Sequence, residues 1–166
     1  MEKFLNSKQM SNKLCFVAGT EVTMEDYYTK YIEDIRIGDF VLSYNEKTQE
    51  IEVKEVIEVS TSIHNDLIKL ILENDIEIIS TFDHPYYVEG KHLASYKPNL
   101  TSARYTFTSE INQLKVGDSL IDLELENVKL VDLEEQEREP VQTYIFHVED
   151  NSNFFANGIL VRNKNV

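Results

Sequence analysis

A single cysteine, Cys15, occurs in 166 residues. No disulfide can therefore close within the chain, and a reducing compartment is compatible with it. Positive charge is scarce: 16 Lys and Arg against 30 Asp and Glu leave a net charge of −14. Nucleic acid and anionic membrane both require clustered cations, so neither is expected as a partner. No apolar run reaches the roughly 20 residues of a membrane-spanning helix. Met1 to Leu14 lack the apolar core of a signal peptide. The expectation is a soluble protein, either cytoplasmic or secreted as part of a larger host. Four histidines and one cysteine show no pairing at metal-ligand spacing, which argues against a zinc site.

What is present points to a folded domain. Nine tyrosines, eight phenylalanines and 42% hydrophobic residues argue against disorder, and the length suits one domain better than two. Period-two alternation dominates. Glu52 to Val59, Leu67 to Leu72, Ile76 to Ile79 and Gln142 to Val148 read as strands. Asn74-Asp75 reads as a turn. Asn157-Gly158 is a type I′ hairpin signal between Phe154-Phe155-Ala156 and Ile159-Leu160-Val161. Helical turns are predicted only at Met24 to Tyr31 and near Glu110 to Leu114. Ser95 to Ser109 reads as a surface excursion, and the acidic run from Glu134 to Glu139 as a solvated loop. The predicted class is all-β, built of many short strands.

The chain also repeats itself. Ile32 to Leu42 (IEDIRIGDFVL) recurs as Ile111 to Ile121 (INQLKVGDSLI), with Gly and Asp in register at Gly38-Asp39 and Gly117-Asp118. Each copy describes a loop that turns at glycine and enters a strand. A duplication would give two β-halves related by a pseudo-two-fold axis, with the chain ends meeting near the middle.

Three segments carry chemistry. Cys15 to Val22 (CFVAGTEV) begins with the lone thiol. Thr81 to Pro85 (TFDHP) offers a hydroxyl, a carboxylate at Asp83 and a proton carrier at His84. Asn153 to Asn163 (NFFANGILVRN) ends on an asparagine after the hairpin. In this order they resemble the Hint superfamily of inteins, hedgehog autoprocessing domains and bacterial intein-like domains, the last group above all. The resemblance runs from Cys15 to Asn163 and implies a horseshoe-shaped β-fold. It divides the chain into an N-terminal flank, 1–14, the domain, 15–163, and a C-terminal flank, 164–166. No room remains for the homing endonuclease that many inteins carry.

The resemblance implies a self-processing domain that needs no cofactor. Its partners would be its own flanking segments, with water, a thiol or an amine as outside nucleophile, and it would act as a monomer. Cys15 would attack the Leu14 carbonyl, converting the Leu14–Cys15 amide to a thioester. His84 would protonate the departing nitrogen and Thr81 would hold or polarise the scissile bond. Asn163 would cyclise to a succinimide and cut Asn163–Lys164.

Departures from the family pattern weaken the second cut. Arg162 stands where a histidine usually precedes the terminal asparagine, and Ser152 stands where a histidine usually precedes Asn-Phe-Phe. Lys164 replaces the Cys, Ser or Thr of splicing inteins, so cleavage is expected over full splicing. Arg162 can polarise a carbonyl but, with a pKa above about 12, cannot serve as a base. His147 is the candidate substitute, read either as an assisting group or as a surface histidine beside Glu149. Two rival readings remain: an inert Hint scaffold joining flanking domains, and a cysteine hydrolase acting in trans through Cys15 and His84.

Overall fold

The computed structural model describes residues 14–164. Of the predicted flanks, 1–14 and 164–166, residues 1–13 and 165–166 lie outside the described residues. Fifteen strands and one short α-helix follow in order. The first half contains β1 (Phe16–Val17), β2 (Glu21–Thr23), β3 (Thr29–Tyr31), β4 (Phe40–Asn45), β5 (Glu50–His64), β6 (Leu67–Leu72) and β7 (Glu77–Thr81). The second contains β8 (Tyr86–Val88), β9 (His92–Ser95), α1 (Pro98–Arg104), β10 (Ile111–Gln113), β11 (Ser119–Ile121), β12 (Asn127–Gln136), β13 (Val141–Val148), β14 (Asn153–Ala156) and β15 (Ile159–Arg162). They form one antiparallel ribbon in the order β3-β2-β14-β15-β8-β11-β12-β6-β7-β1-β13-β5-β4. β9 branches from β8, and β10 joins β9 in parallel.

The ribbon is two copies of one design. In each half a long strand serves two neighbours in turn. β5 pairs first with β4 and then with β13. β12 pairs first with β11 and then with β6. At each handover sits a Gly-Asp loop. Gly38 N–H donates to the Val56 carbonyl (2.9 Å) and Val56 N–H to the Asp39 carbonyl (2.8 Å). Gly117 N–H donates to the Leu130 carbonyl and Leu130 N–H to the Asp118 carbonyl, both at 2.8 Å. The aspartates cap their own loops identically, accepting from Arg36 N–H and Lys115 N–H at 2.8 Å each. A lysine from the preceding hairpin reaches each one: Lys30 to Asp39 at 2.8 Å and Lys91 to Asp118 at 2.9 Å. The glycines turn at φ of 95° and 99°, a region that side chains rarely adopt. The repeat in the sequence is thus a repeat in space.

Apolar residues at alternate strand positions fill the interior, with Phe16, Phe146, Phe154, Leu70, Ile78 and Tyr86 almost wholly buried. Their rings form one cluster: Phe146 and Phe154 lie 4.3 Å apart, and Phe16 meets Phe154 edge-on at 5.8 Å. Asn157-Gly158 makes the expected I′ turn, with φ of 49° and 79°. Asp75, at φ 66°, turns between β6 and β7 as read.

Local expectations fail where pairing overrides them. Met24 to Tyr31 is not helical: Tyr27 N–H closes a tight turn onto the Met24 carbonyl, and β3 follows. Glu110 to Leu114 holds β10, drawn into the sheet by β9. The helix falls instead inside the segment read as a surface excursion. Pro98 starts α1, since its fixed φ suits the first turn, and buried Thr101 anchors it. The acidic run is half strand, because β12 stays paired to β6 as far as Gln136 while Glu134 and Glu135 face solvent. Among the described residues no helix is long and apolar enough to cross a membrane.

Candidate active site

β1 lies in the centre of the ribbon, between β7 and β13, with Phe16 opposite both Ser80 and Tyr144. This inserts Cys15 into the core, where its side chain is inaccessible. Thr81, at the end of β7, clasps it on the main chain. Cys15 N–H donates to Thr81 Oγ1 at 3.3 Å, and Thr81 N–H donates to the Cys15 carbonyl at 3.0 Å. The nitrogen so held belongs to the Leu14–Cys15 bond.

His84 follows in a turn closed by its own N–H onto the Thr81 carbonyl (3.2 Å). The imidazole packs on Phe16, with ring centroids 4.4 Å apart. Full burial drives its pKa down from 6.5 to about 3, although contact with the Pro85 carbonyl pulls the other way. The ring is neutral near pH 7. With Nδ1 donating to Pro85 O (3.1 Å), Nε2 carries the lone pair, and it has no hydrogen-bond partner among the described residues.

Asp83 does not face that chemistry in the same way. Its carboxylate is buried and meets Arg104, at the end of α1, at 2.9 Å, while Thr101 Oγ1 donates to its main-chain carbonyl at 2.7 Å. The result is a clamp that ties α1 to the turn bearing His84. Burial and the Asp83 charge raise the pKa of the neighbouring Tyr105 hydroxyl well above the ordinary tyrosine range.

Asn163 leaves β15 and turns inward. Its N–H donates to the Ser152 carbonyl at 2.7 Å, so Ser152 meets the asparagine through its main chain. Asn163 Nδ2 donates to the Phe146 carbonyl at 2.9 Å, while the buried Oδ1 has no hydrogen-bond partner among the described residues. Arg162 Nη1 donates to the Asn163 carbonyl oxygen at 2.6 Å. The arginine that replaces the usual histidine therefore grips the carbonyl of the Asn163–Lys164 bond.

One small cavity joins the two ends. Leu14, Asn163 and Lys164 line it with Glu58, Ser60, Ile145 and His147. The surface reading of His147 is overturned: it is 4% exposed, it lines the cavity with Leu14 and Asn163, and its Nε2 lies 3.8 Å from Oε2 of Glu58, its cross-strand partner on β5. Its alternation with Ile145 holds, since both side chains line the cavity. Cys15, Thr81 and His84 thus form one group, and Asn163, Arg162 and His147 a second beside it. Arg104, Glu58 and the Phe146 carbonyl are not legible in the sequence; partners that pair through backbone or across the ribbon leave no local motif.

The family model of the Ataxin-1 and HBP1 module (AXH) matches residues 16–125, more than half of the chain. Among solved structures, the bacterial intein-like domain from Clostridium thermocellum is similar at 28% identity and TM-score 0.75, covering 90% of this chain and 98% of that one. The chain belongs to the AXH family and carries the Hint fold. The gp41-1 intein matches this Hint domain at 25% identity and TM-score 0.69, over 90% of this chain and 98% of the other. A DnaB intein from Synechocystis sp. PCC 6803 shares the fold at TM-score 0.69 with 14% identity, over 92% and 99% of the two chains. No curated protein matches the Hint domain. The AXH match begins after Cys15 and ends before the terminal hairpin, so both candidate cleavage points lie outside it.

Proposed function

We propose that this Hint domain processes its own backbone. Cys15 opens the Leu14–Cys15 bond as a thioester, Asn163 cuts the Asn163–Lys164 bond by cyclising, and cleavage prevails over splicing. The observation that carries this reading is the shared cavity, which brings Leu14, Asn163 and Lys164 to one buried place. Reactants held in this way gain effective molarities of up to about 10⁵–10⁸ M.

In the first step Cys15 Sγ attacks the Leu14 carbonyl carbon. His84 Nε2 takes the thiol proton and returns it to the Cys15 nitrogen as the amide bond breaks, leaving a thioester and a free α-amine. A histidine with a pKa of about 3 is a weak base but, once protonated, a strong acid. Its task is to drive out the amine. Thr81 fixes the scissile nitrogen through the 3.3 Å contact and, as that nitrogen becomes tetrahedral, its hydroxyl can turn to donate. Water, a thiol or an amine then takes the acyl group.

In the second step Asn163 Nδ2 attacks its own main-chain carbonyl carbon, and Lys164 departs as an amine. Arg162 stabilises the oxyanion through the 2.6 Å contact. The Phe146 carbonyl aligns Nδ2. His147, which lines the same cavity, would take the Nδ2 proton and deliver it to the Lys164 nitrogen. With Lys164 in place of a Cys, Ser or Thr, the thioester has no side-chain acceptor, and two cuts are the expected outcome. The domain acts on its own flanks as a monomer, without a cofactor.

Burial of Cys15 and Leu14, at 0% and 3% exposure, speaks against a hydrolase acting on outside proteins. The test is to place distinct tags at both ends and weigh the products with and without added thiol. Fragments split at Leu14/Cys15 that vanish with Cys15→Ala, and at Asn163/Lys164 that vanish with Asn163→Ala, are expected. A chain uncut under every condition would favour the inert scaffold.

A further inference from the structure

Arg162, which donates to the Asn163 carbonyl, also faces a carboxylate far away in sequence. Glu46 sits at the tip of the β4–β5 hairpin, and its Oε2 lies 3.6 Å from Arg162 Nε. Tyr87, on β8, donates its hydroxyl to the same oxygen at 2.7 Å. His92, at the start of β9, meets Oε1 at 3.1 Å. The Tyr87 oxygen in turn accepts from Asn153 Nδ2 at 3.1 Å. Asn153 is fixed by Ser43 Oγ and Tyr44 N–H, both donating to its Oδ1 at 2.7 Å. The other side of the guanidinium is covered by the Phe107 ring, 5.3 Å away. Burial pushes the Glu46 carboxyl up, but hydrogen bonds from Tyr87 and His92 and the nearby Arg162 and His92 charges bring it below the usual range. Glu46 is therefore anionic at neutral pH.

We infer that Glu46 is a positioning residue for the C-terminal cut, holding the Arg162 guanidinium against the Asn163 carbonyl. A guanidinium is rigid and planar, so the charge of a carboxylate 3.6 Å from Nε, an ion pair longer than a hydrogen bond, biases where Nη1 points. A histidine in the penultimate position would need no such anchor. The network thus adapts this domain to arginine there. The inference rests on the proposed cyclisation of Asn163 for its purpose, but the hold on Arg162 is measurable without any cleavage.

Two readouts test it. In chain labelled with nitrogen-15 arginine, the Arg162 Nε–H signal, assigned by its loss in Arg162→Lys, reports how firmly the group is held. Glu46→Gln is expected to shift that signal and speed its hydrogen exchange roughly tenfold, with Glu46→Asp in between. An unmoved signal would overturn the inference. In the doubly tagged chain, Glu46→Gln is expected to slow the Asn163–Lys164 cut on the order of 10–100-fold, leaving thiol-induced cleavage at Leu14–Cys15 unchanged. In an Arg162→His background the same substitution should have no further effect. Equal slowing of both cuts, or equal slowing in both backgrounds, would mark Glu46 as merely structural. If the parent chain makes no C-terminal cut while the arginine signal responds to Glu46→Gln, the hold stands and the proposed cyclisation falls.

Discussion

Burial gives His84 a stability signature of its own. Its pKa falls from 6.5 in the unfolded chain to about 3 in the fold, so between those values the unfolded state binds the extra proton. The stability that neutral His84 permits is fully present above pH 6.5 and is lost as pH falls toward 3. Thermal midpoints of the parent should therefore drop on the acid side more steeply than those of His84→Phe, once the carboxylate contribution common to both is subtracted. Equal slopes would show that His84 titrates normally. The same shift predicts no inflection near pH 6.5 in the rate of thiol-induced cleavage at Leu14–Cys15. The TFDHP run pointed to Thr81 and His84 because Pro85 forces a bend after them. It did not reveal that Asp83 turns to Arg104, since nothing local announces a partner delivered by a helix.

Loops and clamps carry the stability at the scale of elements. Gly38 and Gly117 occupy equivalent turns at φ of 95° and 99°. Gly38→Ala and Gly117→Ala should each cost about 1–2 kcal/mol in urea unfolding, and by similar amounts, because each forces a side chain into the left-handed region. A large inequality would show that the halves are not mechanically alike. The Asp83–Arg104 clamp predicts a different outcome. Arg104→Ala leaves a buried carboxylate unpaired, and since Arg104 is about a quarter exposed, a loss of about 2–4 kcal/mol is expected. Asp83→Asn with Arg104→Ala together should restore part of it. Strands at Leu67 to Leu72 and along β13 were legible from alternation. β10 and α1 were not, because their segments are short and their state is set by what packs against them.

For the whole molecule, the decisive property is that every group the proposed reactions use belongs to one chain. Cleavage at either end should follow first-order kinetics, with a half-time unchanged over a hundredfold range of protein concentration. A rate that rises with concentration would favour action in trans. The acidic surface, at a net charge of −14, should also leave the domain without measurable retention on nucleic acid at physiological salt. Leu14 and Lys164, far apart in sequence, line one cavity, and Leu14 is brought there by β1, which inserts between β7 and β13.

By itself the sequence determined the class, the internal repeat and the residue types of the candidate site. Alternation sets which face of a strand is apolar, glycine sets where a loop must turn, and thiol, imidazole and amide set which reactions are open. Only the tertiary structure decided which groups meet. Pairing across the ribbon put Thr81 on the Cys15 nitrogen, buried His84 and His147, and set Arg162 on the carbonyl of Asn163 with Glu46 behind it. The physical reason is one of range. Backbone and side-chain preferences act over a few neighbours, whereas Glu46 and Arg162, or Thr81 and Cys15, become neighbours only when the sheet closes.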